Sequence, residues 1–268
     1  MKSIKKVPFD QFYTKEEIVK SLLKVIDFSK YKLAVDPSVG HGAFFNLINI
    51  NKIGIDIDPK IDAIKSDFLK WDYRDIYFEP KDVICITNPP FGRNASHAIK
   101  FFNYSTLFAD TIAFIMPRSL KKDSMKNRLN LYYHLEYEKD LPENSFIMNN
   151  EDYNVPCVFQ VYVRKKYMRE KYKQIKPLGF KYVKNFEDSD LTIRRVGVYA
   201  GHCELKCDKS KESHYFIKLD SFNNIEQLNY IIENVNNIKW TDKTTGPRSI
   251  AKTELTPILN EILEKWNK

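Results

Sequence analysis

Residues 32–48 read KLAVDPSVGHGAFFNLI, and the division of this stretch decides the fold. Leu33, Ala34 and Val35 form a short apolar run closed by Asp36, the pattern of a buried strand with a carboxylate at its end. Pro37 follows, and Gly40 and Gly42 supply the backbone freedom of a tight turn. The residues after Gly42 predict an amphipathic helix.

The theme repeats on either side. NKIGIDIDPK (51–60) is a second strand ending in acids, AIKSDFLKW (63–71) a third short strand and turn, and DVICITNPPFG (82–92) a fourth. HAIKFFNYSTLFA (97–109) predicts a helix and TIAFIMPRS (111–119) a fifth strand. SFIMNNEDYNVPCVFQVYVRKK (145–166) reads as two strands joined by a polar turn, an antiparallel hairpin closing one edge. Upstream, KEEIVKSLLKVIDF (15–28) has a helical apolar face, with Thr14 as N-cap and Glu17 three positions on. Apolar strands separated by helix-like runs define an α/β domain with a mostly parallel sheet.

The chain has 268 residues, 43% hydrophobic and 14% aromatic, the composition of a protein with a real core rather than a disordered one. Forty-three Lys and Arg against thirty-five Asp and Glu give a net charge of +8, which favours anionic partners such as nucleic acid. No apolar run approaches a membrane span, and the N-terminal residues lack a signal-peptide core, so we expect an intracellular protein, cytoplasmic or nucleoid/nuclear, with no membrane partner. Its four cysteines, Cys85, Cys157, Cys203 and Cys207, are then expected to stay reduced. His202, Cys203, Cys207 and His214 lie close enough to raise a zinc site. The Cys-x3-Cys spacing has no matching second pair, and the expectation is no metal.

Residues 161–184 carry nine Lys or Arg against one Glu, with aromatics interleaved. We place a boundary here, giving domains 1–170 and 171–268. The second alternates strand-like runs (191–201, 214–219) with two helix-like ones (224–236, 254–266), a small α+β unit.

Chemistry concentrates at the strand ends of the first domain. Asp36 with Gly40 and Gly42 suits a nucleotide cofactor approaching the backbone, although Phe45 stands where the dinucleotide fingerprint needs a third glycine, which disfavours NAD. Asp56, twenty positions beyond Asp36, is spaced to bind both hydroxyls of a ribose. Asp67 is placed to accept from an adenine amine, beside Phe68 as a cover for the ring.

The ordered set FYT (12–14), DPSVGHGAFF (36–45), GIDIDP (54–59), SDFLKW (66–71) and NPPF (88–91) resembles the S-adenosylmethionine-dependent amino-methyltransferases that act on adenine in nucleic acid. Cofactor motifs precede the tetrapeptide, the order of their gamma class. The resemblance covers roughly residues 8–165 and implies a Rossmann-like methyltransferase domain whose seven-stranded, mostly parallel sheet ends in an antiparallel hairpin. By it, Phe12, Tyr13 and Thr14 close over the methionine part of the cofactor. Asp36, Pro37, Gly40 and Gly42 hold its amino-acid end, Asp56 takes the ribose, and Ile57, Asp67 and Phe68 frame the adenine. Asn88 touches cofactor and target alike.

The tetrapeptide then carries the reaction. Asn88 and the Pro89 carbonyl accept the two protons of the target amine, Pro89 and Pro90 hold that backbone rigid, and Phe91 stacks on a flipped base. Extrusion costs a few kcal/mol and one ring returns about 1–3, so a second ring is expected, at Phe146. Phe91 stands where many relatives have Tyr. An Asn in first position also occurs in methyltransferases of ribosomal RNA or a glutamine amide. The expected activity is DNA adenine methylation, as in restriction-modification, with RNA adenine methylation as the alternative and a non-catalytic binding subunit behind it. Arg164, Lys165 and Lys166 in the basic stretch, with Arg194, Arg195 and Arg248 beyond it, are the expected nucleic-acid contacts. Oligomeric state is left open.

Overall fold

The computed structural model describes residues 12–221, 224–240, 242–244 and 246–268; residues 8–11, where the resemblance begins, lie outside them. The chain divides into two units, the first ending at Lys171 and the second Tyr172–Lys268.

The first unit opens with β1 (Tyr13–Thr14) and helix α1 (Glu16–Leu23). The strands β2 (Leu33–Asp36), β3 (Asn51–Asp56), β4 (Ile64–Lys65), β5 (Val83–Thr87) and β6 (Thr111–Pro117) follow, with α2 (Ser96–Ser105) before β6 and the short α3 (Asp123–Lys126) after it. Then come β7 (Tyr133–Asp140), β8 (Phe146–Met148), β9 (Glu151–Tyr153) and β10 (Cys157–Arg164). Seven strands form one sheet in the order β4-β3-β2-β5-β6-β10-β7. Its first five run parallel, and β10 is antiparallel to both β6 and β7. Every residue of β5 and β6 is buried, as continuous apolar runs in a parallel sheet require.

Four expectations need correction. No α-helix follows the glycine turn: a 3-10 turn, Phe45–Leu47, is all that separates it from β3. The run is short and Asn-rich, and the Lys52 ammonium donates to the Phe45 and Ile48 carbonyls at 2.8 and 2.9 Å, satisfying groups that a helix would have paired internally. Helix α1 stops at Leu23, well before Phe28, and Thr14 does not cap it: its hydroxyl accepts from Asn88 while its backbone pairs with Phe146. The hairpin that ends the main sheet is β7–β10. Strand β7 was not read from the sequence, because its charges conceal the alternation. The first part of the stretch expected to form that hairpin instead gives β8 and β9, joined at residues 149–150, which with β1 make a separate small sheet.

The second unit is an antiparallel sheet of β11 (Phe180–Val183), β12 (Leu191–Arg194), β13 (Cys203–Leu205) and β14 (His214–Leu219), in the order β11-β14-β12-β13. Helices α4 (Ile225–Asn236) and α5 (Lys252–Trp266) bury Leu228, Ile231, Leu255 and Leu259 in the unit's own core. Among the described residues no helix is long and apolar enough to cross a membrane.

Candidate active site

A cavity of about 520 Å³ opens at the carboxyl ends of β2, β3 and β5, a size that suits a small-molecule site. β2 lies between β3 and β5, so this is the point where the strand order reverses and the loops diverge, the place where open α/β sheets bind ligands.

The glycine turn forms its floor. Gly40 has φ +51° and Gly42 φ +84°, a left-handed backbone that side chains resist. Two bonds fasten the turn to β3: Val39 N–H donates to the Ile55 carbonyl at 3.1 Å and Gly40 N–H to the Asp56 carboxylate at 2.8 Å. Gly54, which sequence reasoning passed over, permits this approach, since a Cβ there would meet Val39 at 2.7 Å and Phe45 at 2.9 Å.

Asp36 lies beneath the turn, accepting from the Thr87 hydroxyl at 2.6 Å and the Ser38 amide at 3.2 Å. Burial pushes its carboxyl up to about 7 against these hydrogen bonds, with Asp56 adding repulsion. The shift disfavours the charged form by on the order of 4 kcal/mol. A cation brought into the cavity would restore the carboxylate.

On β3, Asp56 is oriented by two backbone donors, the amides of Gly40 and of Asp58 at 2.9 Å. Asp58 is held low by Lys60, its ion-pair partner. Ile57 lines the cavity although 51% exposed, an apolar surface available to a flat ring. Asp67 accepts from the Leu69 amide at 3.1 Å as the cap of a 3-10 turn, leaving its second oxygen 3.7 Å from Lys70. Phe68 lines the cavity from within an aromatic cluster containing Phe101 and Tyr104.

At the end of β5 the geometry is of another kind. Asn88 Nδ2 donates to the Thr14 hydroxyl at 3.2 Å, and Asn88 Oδ1 is buried with no hydrogen-bond partner. Pro89 and Pro90 line the same cavity. Phe91 and Phe146 do not: they are only 7% and 0% exposed. Both pack edge-on against Phe12, with ring centres 5.2 and 4.9 Å away. Phe146 is committed to the core by the pairing of β8 with β1, and Phe91 is turned inward where its carbonyl accepts from the His97 amide at the start of α2. The expected pair of base-stacking rings is thus a buried cluster, of which Phe12 lines the cavity. Gly42 also stays off the wall, acting through the turn's shape.

Strand β1 crosses both halves of the cavity. Tyr13 sits over Gly40 and packs edge-on against His41, ring centres 4.1 Å apart, while Thr14 reaches Asn88. His41, Ser66 and, at the start of α2, His97 also line the cavity and were missed, because isolated polar residues give no periodic signal.

The expected nucleic-acid contacts fall into two groups. Arg164 and Lys165, at the end of β10, pair with Asp110 at 3.4 Å and Glu136 at 2.6 Å, while Lys166 is exposed. Arg194, Arg195 and Arg248 are half-buried in the second unit. Cys203 is buried, its thiol pushed up to about 12, and the Cys207 thiol donates to Glu204. Among the described residues no cluster of three or more His, Cys, Asp or Glu is arranged to hold a metal.

Strand order and strand-end cavity together define a Rossmann-like α/β fold, a mostly parallel sheet with its cleft at the switch point. No protein-family model and no curated protein matches the sequence. Among solved structures, the chain is similar to the modification subunit of a candidate type I restriction enzyme from Vibrio vulnificus, at 16% identity and TM-score 0.43, covering 59% of this chain and 46% of that one. A candidate RNA methyltransferase from Pyrococcus horikoshii matches at 15% identity and TM-score 0.45, covering 60% of this chain and 90% of that one. A 23S ribosomal RNA methyltransferase matches at 12% identity and TM-score 0.41, covering 58% and 71%. The chain thus spans less than half of the first of these proteins.

Proposed function

We propose that the protein is an S-adenosylmethionine-dependent methyltransferase that modifies the exocyclic amino group of adenine in nucleic acid, DNA in preference to RNA. The observation that carries this reading is the unpartnered Asn88 Oδ1. A buried acceptor left without a hydrogen bond costs about 1–3 kcal/mol, and here it belongs to the first residue of an NPPF run at the wall of a cavity floored by a glycine turn.

The residues present fit the cofactor. Asp56, fixed by two amides, would take a vicinal diol, Ile57 and Phe68 would frame a flat base, and Asp36 would face a cationic amino-acid end. S-adenosylmethionine, when bound, supplies an electrophilic sulfonium methyl group. Everything else falls to the chain. The lone pair of an aromatic amine is delocalised into its ring, so Asn88 Oδ1 and the Pro89 carbonyl would accept its two protons and draw the nitrogen toward tetrahedral geometry. Fixed dipoles of this kind need no reorganisation as charge develops. The two prolines keep the carbonyl in place, and the bond from Asn88 Nδ2 to Thr14 keeps the amide from rotating.

The acceptor preference draws on the second unit, which offers surface for reading a groove. Arg194, Arg195 and Arg248 are its proposed phosphate or base contacts, and Arg164, Lys165 and Lys166 are those proposed for the first unit. Incubation with labelled cofactor and DNA, total RNA or protein, followed by nucleoside chromatography, tests the reading. N6-methyladenine from DNA is the expected product. Label in RNA would move the acceptor, and label in neither nucleic acid would refute the proposal.

A further inference from the structure

The turn between β12 and β13 has no role in the chemistry above, yet it is built with care. Val198 and Tyr199 stand at its tip, 83% and 70% exposed, on a backbone that is not loose. Gly197 and Gly201 have φ +99° and +101°, the Ala200 amide closes the turn onto Gly197 O at 3.0 Å, and the His202 amide donates to Tyr199 O at 3.0 Å. The base of the turn is equally fixed. Gly197 N–H donates to the Arg248 carbonyl at 2.8 Å, and the Ile250 amide to the Arg195 carbonyl at 2.9 Å. The Trp240 indole occupies the space a Cβ on Gly201 would need. Two adjacent apolar side chains held rigidly in water gain nothing for the fold.

Around the base lie three guanidinium groups. Arg194 sits beneath Gly197 with its Nε donating to Val196 O at 3.1 Å. Arg195 lies over the Tyr215 ring at 5.1 Å, and Arg248 donates to the Trp240 carbonyl. Among the described residues none of the three forms an ion pair with a carboxylate, and the Nε atoms of Arg195 and Arg248 are buried without acceptors. Uncompensated cations around an aromatic tip are complementary to a strand of phosphates and bases: guanidinium groups hold the backbone, and an aromatic or aliphatic wedge stacks on or between bases.

We propose that the 197–201 turn is a base-stacking tip, with Tyr199, supported by Val198, packing on a base of a nucleic-acid strand whose phosphates are held by Arg194, Arg195 and Arg248. This deepens the acceptor class proposed above and rests on it, but it concerns the second unit alone.

Binding of the full chain to fluorescent single-stranded and duplex oligonucleotides, followed by anisotropy, tests it. Tyr199→Ala should weaken binding roughly 5- to 150-fold, whereas Tyr199→Phe should stay within about twofold. Arg194→Gln should lower the slope of log affinity against log salt by about one. The better-bound oligonucleotide identifies whether the tip meets an unpaired base or a duplex step. Wild-type affinity in Tyr199→Ala, with an unchanged melting temperature, would overturn the assignment. Methyl transfer measured on the same samples separates the two claims. Tyr199-dependent binding without methyl transfer leaves the tip standing and sinks the cavity reading, while methyl transfer with Tyr199→Ala binding like wild type sinks only the tip.

Discussion

The ends of β2 and β5 are adjacent in the sheet and share one cavity, but they are finished in opposite ways. At the ends of β2 and its neighbour β3 both carboxylates are engaged: Asp36 accepts from Thr87 and Ser38, and Asp56 accepts from Gly40 and Asp58. After β5 the principal acceptor, Asn88 Oδ1, is left unpaired. A satisfied network is rigid and holds a ligand, whereas an unsatisfied buried acceptor is stored free energy that an incoming donor releases. On the proposed reading, this difference gives holding to the β2 and β3 ends and reactivity to the β5 end.

The sharpest way to break this division is Asn88→Ala. Turnover should fall by at least about a hundredfold, and up to roughly a thousandfold, the range seen when one preorganised dipole is removed. The cofactor dissociation constant, read by calorimetry, should barely move. If both fall together, the two strand ends are a single functional unit. Asp56→Ala probes the other side. Loss of a charge-assisted hydrogen-bonding pair should weaken cofactor binding by about 1.5–3 kcal/mol, roughly 10- to 150-fold, and an unchanged constant would deny Asp56 its role.

Gly54→Ala asks whether the turn is held by β3. The added methyl has no room beside Val39 and Phe45, so the midpoint of denaturant unfolding should drop by the equivalent of about 1–3 kcal/mol, with cofactor affinity falling too.

The smallest effect is the most diagnostic. The Asp36 carboxyl is raised in the fold to about 7, so the native state binds more protons than the unfolded state between about pH 4 and 7. Its contribution to stability is therefore complete below about pH 4 and is lost as pH rises through 7. A cationic ligand prefers the ionised form, so cofactor affinity should rise severalfold from pH 6 to 8. Asp36→Asn should flatten that profile while leaving the sheet folded, and an identical slope in the variant would show that Asp36 does not sense the ligand's charge.

Much of this was legible in one dimension, because local chemistry writes itself into short runs. Apolar strands of four to seven residues, positive-φ glycines at Gly40 and Gly42, and a carboxylate closing β2 and β3 are each dictated by residues adjacent in the chain. Hence the sheet and most of the cavity wall, from Asp36 to Asn88, followed from the sequence. What failed involved long-range competition. Helix periodicity after Gly42 lost to a crossover too short for a helix, and Thr14 as a cap lost to pairing with Phe146. Phe91 and Phe146 lost solvent to Phe12, which comes from far away in the chain. An aromatic residue reads the same in sequence whether it stacks on a ligand or on another side chain. Only tertiary packing decides which surface it covers, because burial is a property of neighbours brought together by the fold and not of the residue itself.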